Sequence, residues 1–594
     1  MTMINRLWKN LTWKRRKQFA SLAILMIFAS IMEVISIGSV VPFLGALTSP
    51  DRIFENKLAQ PFISLIGITK PAQLLLPLTI LFISSALISA SVRLFLLYVS
   101  TRFAFSTAAD LSIDIYRRTL YQDYSTHISR NSSEIINGII TKTNTVISKI
   151  LVPILNLISS IIIMTGIVSI IFMINAYIAI VSFTVFGFFY SIIAFLTKKT
   201  LLKNSKLIAN ESDQMIKSLQ EGLGGIRDVL ITGSQEFYCK LYRDADLTLR
   251  RASGENVFIS SCPRYFMEGV GMILIAILAY VLTVRGGIES AFPMLGALAV
   301  GAQKLLPALQ QAYSSVSLIK GANKSFVDVL DLLDQKILNT SNHNNVKPLS
   351  FLSEIKFEDV SFRYSKESPY ILKNINLVFG KGEKIGLIGA TGSGKSTLLD
   401  ILMGLLIPTS GKLLIDGDEI THANRKNWQA HISHVPQNIY LADGTVKENI
   451  AFGVSPEEID DDRVILASQQ AKISSTIDDL DKKYNGIVGE QGIKLSGGQK
   501  QRIGIARALY RSSDVLIFDE ATSALDNTTE EGIMKQIDKL NKDQTVFIIA
   551  HRLSTLKNCD RIIRVNNEYS IDQLEYSQIK TSEMKSTDKP SSVN

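Results

Sequence analysis

The sequence predicts a membrane domain of six long α-helices followed by an α/β domain built around a phosphate-binding loop. Three observations predict it. Long apolar runs fill the chain to about residue 315 and then stop. Beyond about residue 350, short β-rich runs alternate with helical ones, as in α/β domains. The stretch KIGLIGATGSGKSTLL sets a GxxxxGK[ST] motif between an apolar strand and a helix.

At 594 residues the chain exceeds one ordinary core, so it reads as more than one domain. The expected division is a membrane domain at 1–338, a polar linker at 339–350, an α/β domain at 351–570 and a loosely ordered tail at 571–594. A mean hydropathy of +0.20 is high for a soluble protein. The formal charge of +9 raises the question of nucleic acid. Its location answers that: Lys and Arg crowd the N-terminal segment and two long connectors between spans. Cys239, Cys262 and Cys559 have no CxxC spacing, which fits reduced thiols and no metal site. The basic N-terminus leads into an apolar run too long for a signal peptide, so it reads as a retained first span.

The six runs lie at about 19–47, 74–100, 150–174, 177–197, 263–284 and 290–312. Most reach the roughly 20 residues a bilayer requires. The sixth is weaker, broken by Lys304 and Pro307. The third and fourth are joined by only two residues, which predicts a tight hairpin. The connectors after the second and fourth are polar and rich in helix formers. They read as spans continuing into water, with tips near Gln122–Ser129 and Gly222–Gly233. The opposite-side loops hold Arg52, Lys57, Lys70 and Arg285. The positive-inside rule therefore places the N-terminus, both connectors and the C-terminal half in the cytoplasm. The loop DRIFENKLAQPFISLIG reads either as a surface helix with Phe54, Leu58, Phe62 and Leu65 on one face, or as a plain loop.

In the phosphate motif, Gly389 and Gly394 leave room for backbone N–H groups to curl around phosphate oxygens. Thr391, Gly392 and Ser393 complete the loop, and Thr397 follows it. Lys395 neutralises phosphate charge, and Ser396 supplies a hydroxyl for Mg²⁺. The stretch VLIFDEATSALD is a second apolar strand ending in acids. Asp519 is placed to hold the metal, and Glu520 to orient an attacking water. Phosphoryl transfer needs this positioning and charge neutralisation more than covalent chemistry.

Between the two motifs lies LSGGQKQR, Leu495–Arg502. With it the chain resembles the ABC transporter superfamily, in the type I exporter arrangement of six spans and one ATPase domain. The resemblance implies ATP and Mg²⁺ as cofactors and assigns further roles. Tyr364 stacks on adenine. Gln437 senses the metal and γ-phosphate. Glu490 lies in the exporter X-loop. Ser496, Gly497 and Gly498 form the signature, Asp526 the D-loop, and His551 contacts the γ-phosphate. The signature acts on ATP held by another ATPase domain, so one chain is a half-transporter. A homodimer would hold two complete sites; a heterodimer stays open.

Ionisable residues within spans are costly and become functional candidates. They are Glu33, Arg93, Arg264, Glu268 and Lys304. At 1.5 Å per residue, Arg93 lies about 28 Å and Lys304 about 21 Å below the outer starts of their spans. Arg264 begins the fifth span from inside. Two readings stand: long basic chains reaching headgroups, with Glu268 simply pairing with Arg264 one turn away, or a cationic cavity lining at inner-leaflet depth.

PRYFMEGVG on the fifth span, with a basic residue before LLPALQ on the sixth, resembles flippases for lipid-linked oligosaccharides. That resemblance implies a polyprenyl-pyrophosphate glycan moved to the outer leaflet of a bacterial inner membrane. The alternatives are a general lipid, multidrug or peptide exporter of the same fold. A non-transporting ATP-gated channel is a third possibility, disfavoured by the presence of Glu520.

Overall fold

The computed structural model describes residues 3–576 and 578, apart from 49, 56–59, 175, 287, 338–346, 540–542, 551 and 567–570. His551, Asn175, Leu58 and most of the linker and tail therefore lie outside the described residues. The chain divides into two compact units. One comprises Met1–Gln122 and Arg130–Lys336; the other comprises Asp123–Ser129 and Ile337–Asn594.

The first unit is helical: α1 (Trp13–Gly38), α2 (Leu75–Leu120), α3 (Val152–Ile174), α4 (Ala176–Gly224), α5 (Gln235–Gly286) and α6 (Ile288–Gly321). Among the described residues, five helical stretches are long and apolar enough to cross a membrane; the sixth apolar run lies within α6. α2, α4 and α5 run for 46, 49 and 52 residues. At 1.5 Å per residue each is about 70–80 Å long, more than twice a bilayer core of about 30 Å. The polar connectors are thus continuations of the spans.

The first run is not one helix. α1 stops at Gly38, and a separate helix, Val40–Thr48, follows. Pro42 explains the break. It has no N–H for the carbonyl of Gly38, and its ring crowds that carbonyl. The Ser39 hydroxyl at the break lies 3.0 Å from that of Ser85 on α2. Among the described residues, the loop that follows holds two short helices, Pro50–Phe54 and Gln60–Ile66.

α4 packs on α5, α3 on α6 and α1 on α2. Ile37, Ile167, Phe186, Met267 and Leu305 form one apolar cluster. Two π-helical turns, Gly138–Lys142 and Ile147–Leu151, lead into α3. Lys142, the last residue of the first, pairs its buried ammonium with Asp213 (2.9 Å) and Asp328 (2.7 Å). A buried cation with two carboxylates satisfies a charge that would otherwise be costly.

Among its described residues, the second unit holds two sheets. Strands β1 (Glu354–Phe362), β2 (Leu372–Gly380), β4 (Ser410–Ile415) and β5 (Asp418–Glu419) form an antiparallel sheet in the order β2-β1-β4-β5. The other contains β3 (Lys384–Ile388), β6 (Ile432–Val435), β7 (Val515–Asp519), β8 (Thr545–Ile549), β9 (Arg561–Val565) and β10 (Ile571–Leu574), ordered β10-β9-β3-β8-β7-β6. All its pairings are parallel except β9 with β10. The inner strands are continuous apolar runs, as buried parallel strands require.

Helix α7 (Lys395–Leu402) follows β3, and Trp428 anchors its far end. The Trp428 ring is fully buried, and its indole N–H donates to the Leu402 carbonyl at 2.7 Å. Trp428→Ala is expected to destabilise this unit by ~3–5 kcal/mol. Thermal melting of the purified full chain checks this; an unshifted transition would remove Trp428 as the anchor.

Candidate functional site

Parallel strands deliver their following loops to one edge of a sheet. β3 leads to the glycine loop, β6 to Gln437, β7 to Asp519 and Glu520, and β8 ends two residues before His551, which lies outside the described residues. The candidate phosphate residues thus meet through topology, although more than 120 residues separate Lys395 from Asp519.

The loop after β3 bends at Gly389 (φ 154°) and Gly394 (φ 98°). At Gly389 a Cβ would sit 2.3 Å from the Val565 carbonyl oxygen and 2.8 Å from the Ser393 hydroxyl. Only glycine fits there. The Lys395 ammonium donates to the carbonyls of Gly389 and Ala390, both at 2.9 Å, so it lies inside the loop. Burial holds it below the ordinary lysine range, against the pull of Glu520 and Asp519. Ser396 is exposed at the first turn of α7. Thr391 and Gly392 are exposed, and Ser393 is buried. Tyr364 is half-exposed, with its hydroxyl 3.3 Å from that of Thr397.

At the end of β7, burial and then the neighbouring Glu520 raise the Asp519 carboxyl above the usual carboxylate range. Glu520 adopts φ 51°, and its N–H donates to the Ile549 carbonyl at 3.1 Å. The Gln437 amide donates to the Glu520 carboxylate at 2.6 Å. The sequence points to both residues; the structure joins them. Adjacent acids, the Ser396 hydroxyl and the Gln437 amide oxygen are hard oxygen donors suited to Mg²⁺. The raised Asp519 is the kind of electrostatic cost a bound divalent cation relieves.

Asp400 on α7 was missed. It follows the motif by one helical turn, and nothing in its local pattern distinguishes it from a solvated acid. Burial, with Asp519 nearby, raises it to about 6.

Ser496 caps α8 (Gly497–Tyr510), accepting from the N–H of Gln499, and both Ser496 and Gly497 are exposed. Gln501, another residue sequence reasoning passed over, binds this helix to the loop after β7. Its amide donates to the Ser523 hydroxyl (3.1 Å), and its oxygen accepts from Ala524 N–H (3.0 Å). The packing leaves Gly498 little room, with a Cβ 3.1 Å from the Ala524 carbonyl. Asp526 caps α9 (Asn527–Asp538). Hydrogen bonds from Thr528 and Thr529 hold its carboxyl far below the usual range. Glu490 lies in a single 3₁₀ turn, Glu490–Gly492. Asp123 pairs with Arg425, and His422 lies 3.7 Å from it, beside the short helix Tyr124–Ser129.

The membrane candidates separate into two places. A cavity of about 480 Å³ is lined by Glu33, Ser89, Arg93, Asn156, Lys304 and Gln311, among others. Within it Glu33 pairs with Lys304 at 2.8 Å and Arg93 at 3.3 Å, and accepts from the Ser89 hydroxyl. A second cavity of about 360 Å³ holds Arg264, Glu268, Tyr190, Gln303, Pro307 and Gln310. Arg264 pairs with Glu268 at 2.8 Å. A single lining of three cations is therefore corrected. Two of them share a buried carboxylate, and the third is matched across one turn.

Two family models match the chain: the ABC transporter transmembrane region over residues 17–289 and ABC transporter over 372–523. The leukotoxin export ATP-binding protein LtxB of Aggregatibacter actinomycetemcomitans is 44% identical over 250 residues, covering 41% of this chain and 34% of that protein. The leukotoxin translocation ATP-binding protein LktB of Mannheimia glucosida is 47% identical over 224 residues, 37% of this chain and 31% of that protein. The chain thus spans about a third of the length of these curated relatives. A bacterial Atm1-family ABC exporter with ATP bound shares the fold, with a TM-score of 0.78, 22% identity and coverage of 98% of this chain and 99% of that one.

Gly389→Ala is expected to abolish nucleotide binding while the chain still folds, measured by binding of a fluorescent ATP analogue; wild-type affinity would contradict the steric argument. Asp400 sets a pH dependence. Its folded value of about 6 lies above the unfolded value of about 3.9. The folded state therefore binds the proton more tightly. It is penalised above about pH 6, and the penalty fades as pH falls toward 4. Asp400→Asn is expected to raise the melting temperature at about pH 7.5, with the gain shrinking by about pH 5. An equal gain at both pH values would point to another cause.

Proposed function

The chain belongs to the ABC transporter family, and from that premise we propose an ATP-driven exporter that carries an amphipathic, charge-bearing cargo across a membrane. The observation that carries this reading is the fusion, in one chain, of long apolar helices lining a cavity that holds charged side chains with a nucleotide site whose Gln437 and Glu520 are already hydrogen-bonded.

ATP binds with its phosphates in the loop from Gly389 to Ser396, and Tyr364 faces the base. Lys395 neutralises phosphate charge. Ser396, Asp519 and Gln437 hold Mg²⁺, which when bound adds further neutralisation. Glu520, oriented by Gln437, positions the attacking water and accepts its proton. His551 is proposed to contact the γ-phosphate. Ser496 and Gly497 lie exposed at a helix N-terminus, a geometry suited to phosphate. They complete the site of a second copy, so the working unit is a homodimer. ATP between the copies favours the closed state, and hydrolysis resets it. The N-terminus and nucleotide unit face the cytoplasm of a bacterial cell, with the spans in its inner membrane.

The relatives are named for leukotoxin export, which supports a polypeptide cargo. They match about two-fifths of the chain or less. They lend no support to the lipid-linked oligosaccharide expected from the sequence. That glycan remains a second reading for one reason. The half-exposed Arg93 lies in a cavity that also holds apolar Leu94 and Leu97, which suits an anionic lipid.

Glu520→Gln is expected to lower ATP turnover about 10²–10⁴-fold and to trap ATP in a dimer visible by size-exclusion chromatography. Near-normal turnover would remove Glu520 as base. Vesicles containing the purified protein, loaded in parallel with a labelled polypeptide, a lipid-linked oligosaccharide and a phospholipid, separate the cargo readings. ATP-dependent movement of none of them would overturn the exporter reading.

A further inference from the structure

The stretch DEATSALDNTTEEG, Asp519–Gly532, runs from the acids after β7 through a tight loop into α9. Glu530 sits in the first turn of α9, where the helix dipole favours an anion. That accounts for its charge but not for its burial: the side chain is only 6% exposed. Its partners account for the burial. One carboxylate oxygen accepts from the Thr522 hydroxyl at 3.0 Å and the Thr555 hydroxyl at 2.5 Å. The other accepts from a terminal nitrogen of Arg552 at 2.9 Å. The same nitrogen reaches the Asn527 side-chain oxygen (3.0 Å) and the Leu525 carbonyl (3.3 Å).

These partners come from the two segments that flank the proposed chemistry. Thr522 stands two residues after Glu520, and Arg552 directly follows His551 in sequence. The loop after Glu520 is held residue by residue. Ser523 N–H donates to the Glu520 carbonyl (3.2 Å), Gln501 bonds Ser523 and Ala524, and Arg552 bonds Leu525. Glu530 is where side chains from both segments meet. Moving either segment strips a donor from a buried carboxylate, which costs more than the bond itself is worth.

We propose that Glu530 is a positioning residue for ATP hydrolysis: through Thr522 and Arg552 it holds the loop bearing Glu520 and the segment that begins at His551 in one register. It acts through Glu520. The inference rests on the roles proposed above for Glu520 and His551.

The test measures ATP hydrolysis by the full chain in phosphatidylcholine nanodiscs. Glu530→Ala removes all three bonds and is expected to lower kcat about tenfold or more, with KM for ATP within about twofold of wild type. Glu530→Gln can still accept from Arg552 and donate to both hydroxyls, and it is expected to recover part of kcat. Placed in a Glu520→Gln chain, Glu530→Ala is expected to slow the residual rate by less than about twofold, because residues that act as a unit are not additive. A residue that merely stabilised the fold would slow both chains by the same factor. Arg552→Met changes a side chain that is 43% exposed, so it reads the same link if the buried substitution does not fold. It is expected to lower kcat likewise, at an unchanged KM. Wild-type kcat in folded Glu530→Ala or in Arg552→Met overturns the inference, as does an equal loss with and without Glu520. Near-normal turnover in Glu520→Gln alone overturns the proposed role of Glu520, and the inference with it.

Discussion

The parallel pairing of β3, β8, β7 and β6 is the constraint on which the nucleotide chemistry rests. Parallel strands send every following loop to the same edge, so four loops distant in sequence converge without contact between their own segments. The arrangement has an electrostatic cost. Burial first, and then a neighbouring carboxylate, raises Asp400 and Asp519, while Lys395 pulls Asp519 the other way. Carboxyls crowded beside Lys395 are a charge that a divalent cation would offset. The same edge sets Glu520 in a left-handed backbone conformation, latched to the end of β8 and bonded to Gln437. Strain and charge are thus concentrated where phosphoryl transfer requires preorganised groups.

The membrane unit obeys the opposite rule. There a charge without a partner is expensive, and the structure meets each candidate with a nearby opposite charge. Arg264 finds Glu268 within its own helix, whereas Arg93 and Lys304 find Glu33 from a different one. Local pairing leaves α5 self-sufficient. Long-range pairing makes α1, α2 and α6 depend on one another through a single carboxylate.

That difference also marks what the sequence could disclose. The phosphate loop, the acids after β7 and the Arg264–Glu268 pair are short-range patterns, where residue spacing alone carries the geometry. The apolar runs were legible for the same reason: span length is a local property. Glu33 was visible as an ionisable residue in a span, yet its partners lie 56 to 271 positions away. No spacing rule links them. The break at Gly38 was also legible in principle, since Pro42 stands four residues later, but an unbroken hydropathy run concealed it. The π-helical turns before α3 had no signal of their own. The first of them ends at Lys142, whose partners Asp213 and Asp328 lie far along the chain. Gln501 and Asp400 matter through contacts with residues met only after folding.

Helix α6 connects the two cavities. Lys304 and Gln311, seven residues apart, line the first; Gln303 and Gln310, also seven apart, line the second with Pro307. Seven residues is nearly two helical turns, so each pair shares a face, and a step of one residue turns by about 100° to the other face. One helix therefore serves as the wall of both. A rotation that carries Lys304 away from Glu33 also displaces Gln303 and Gln310 beside the Arg264–Glu268 pair. The Glu33–Lys304 tie thus opposes rotation of α6 at one cavity and, through the same rigid helix, at the other. Loss of that tie would be felt in both places, although no ion pair joins them among the described residues.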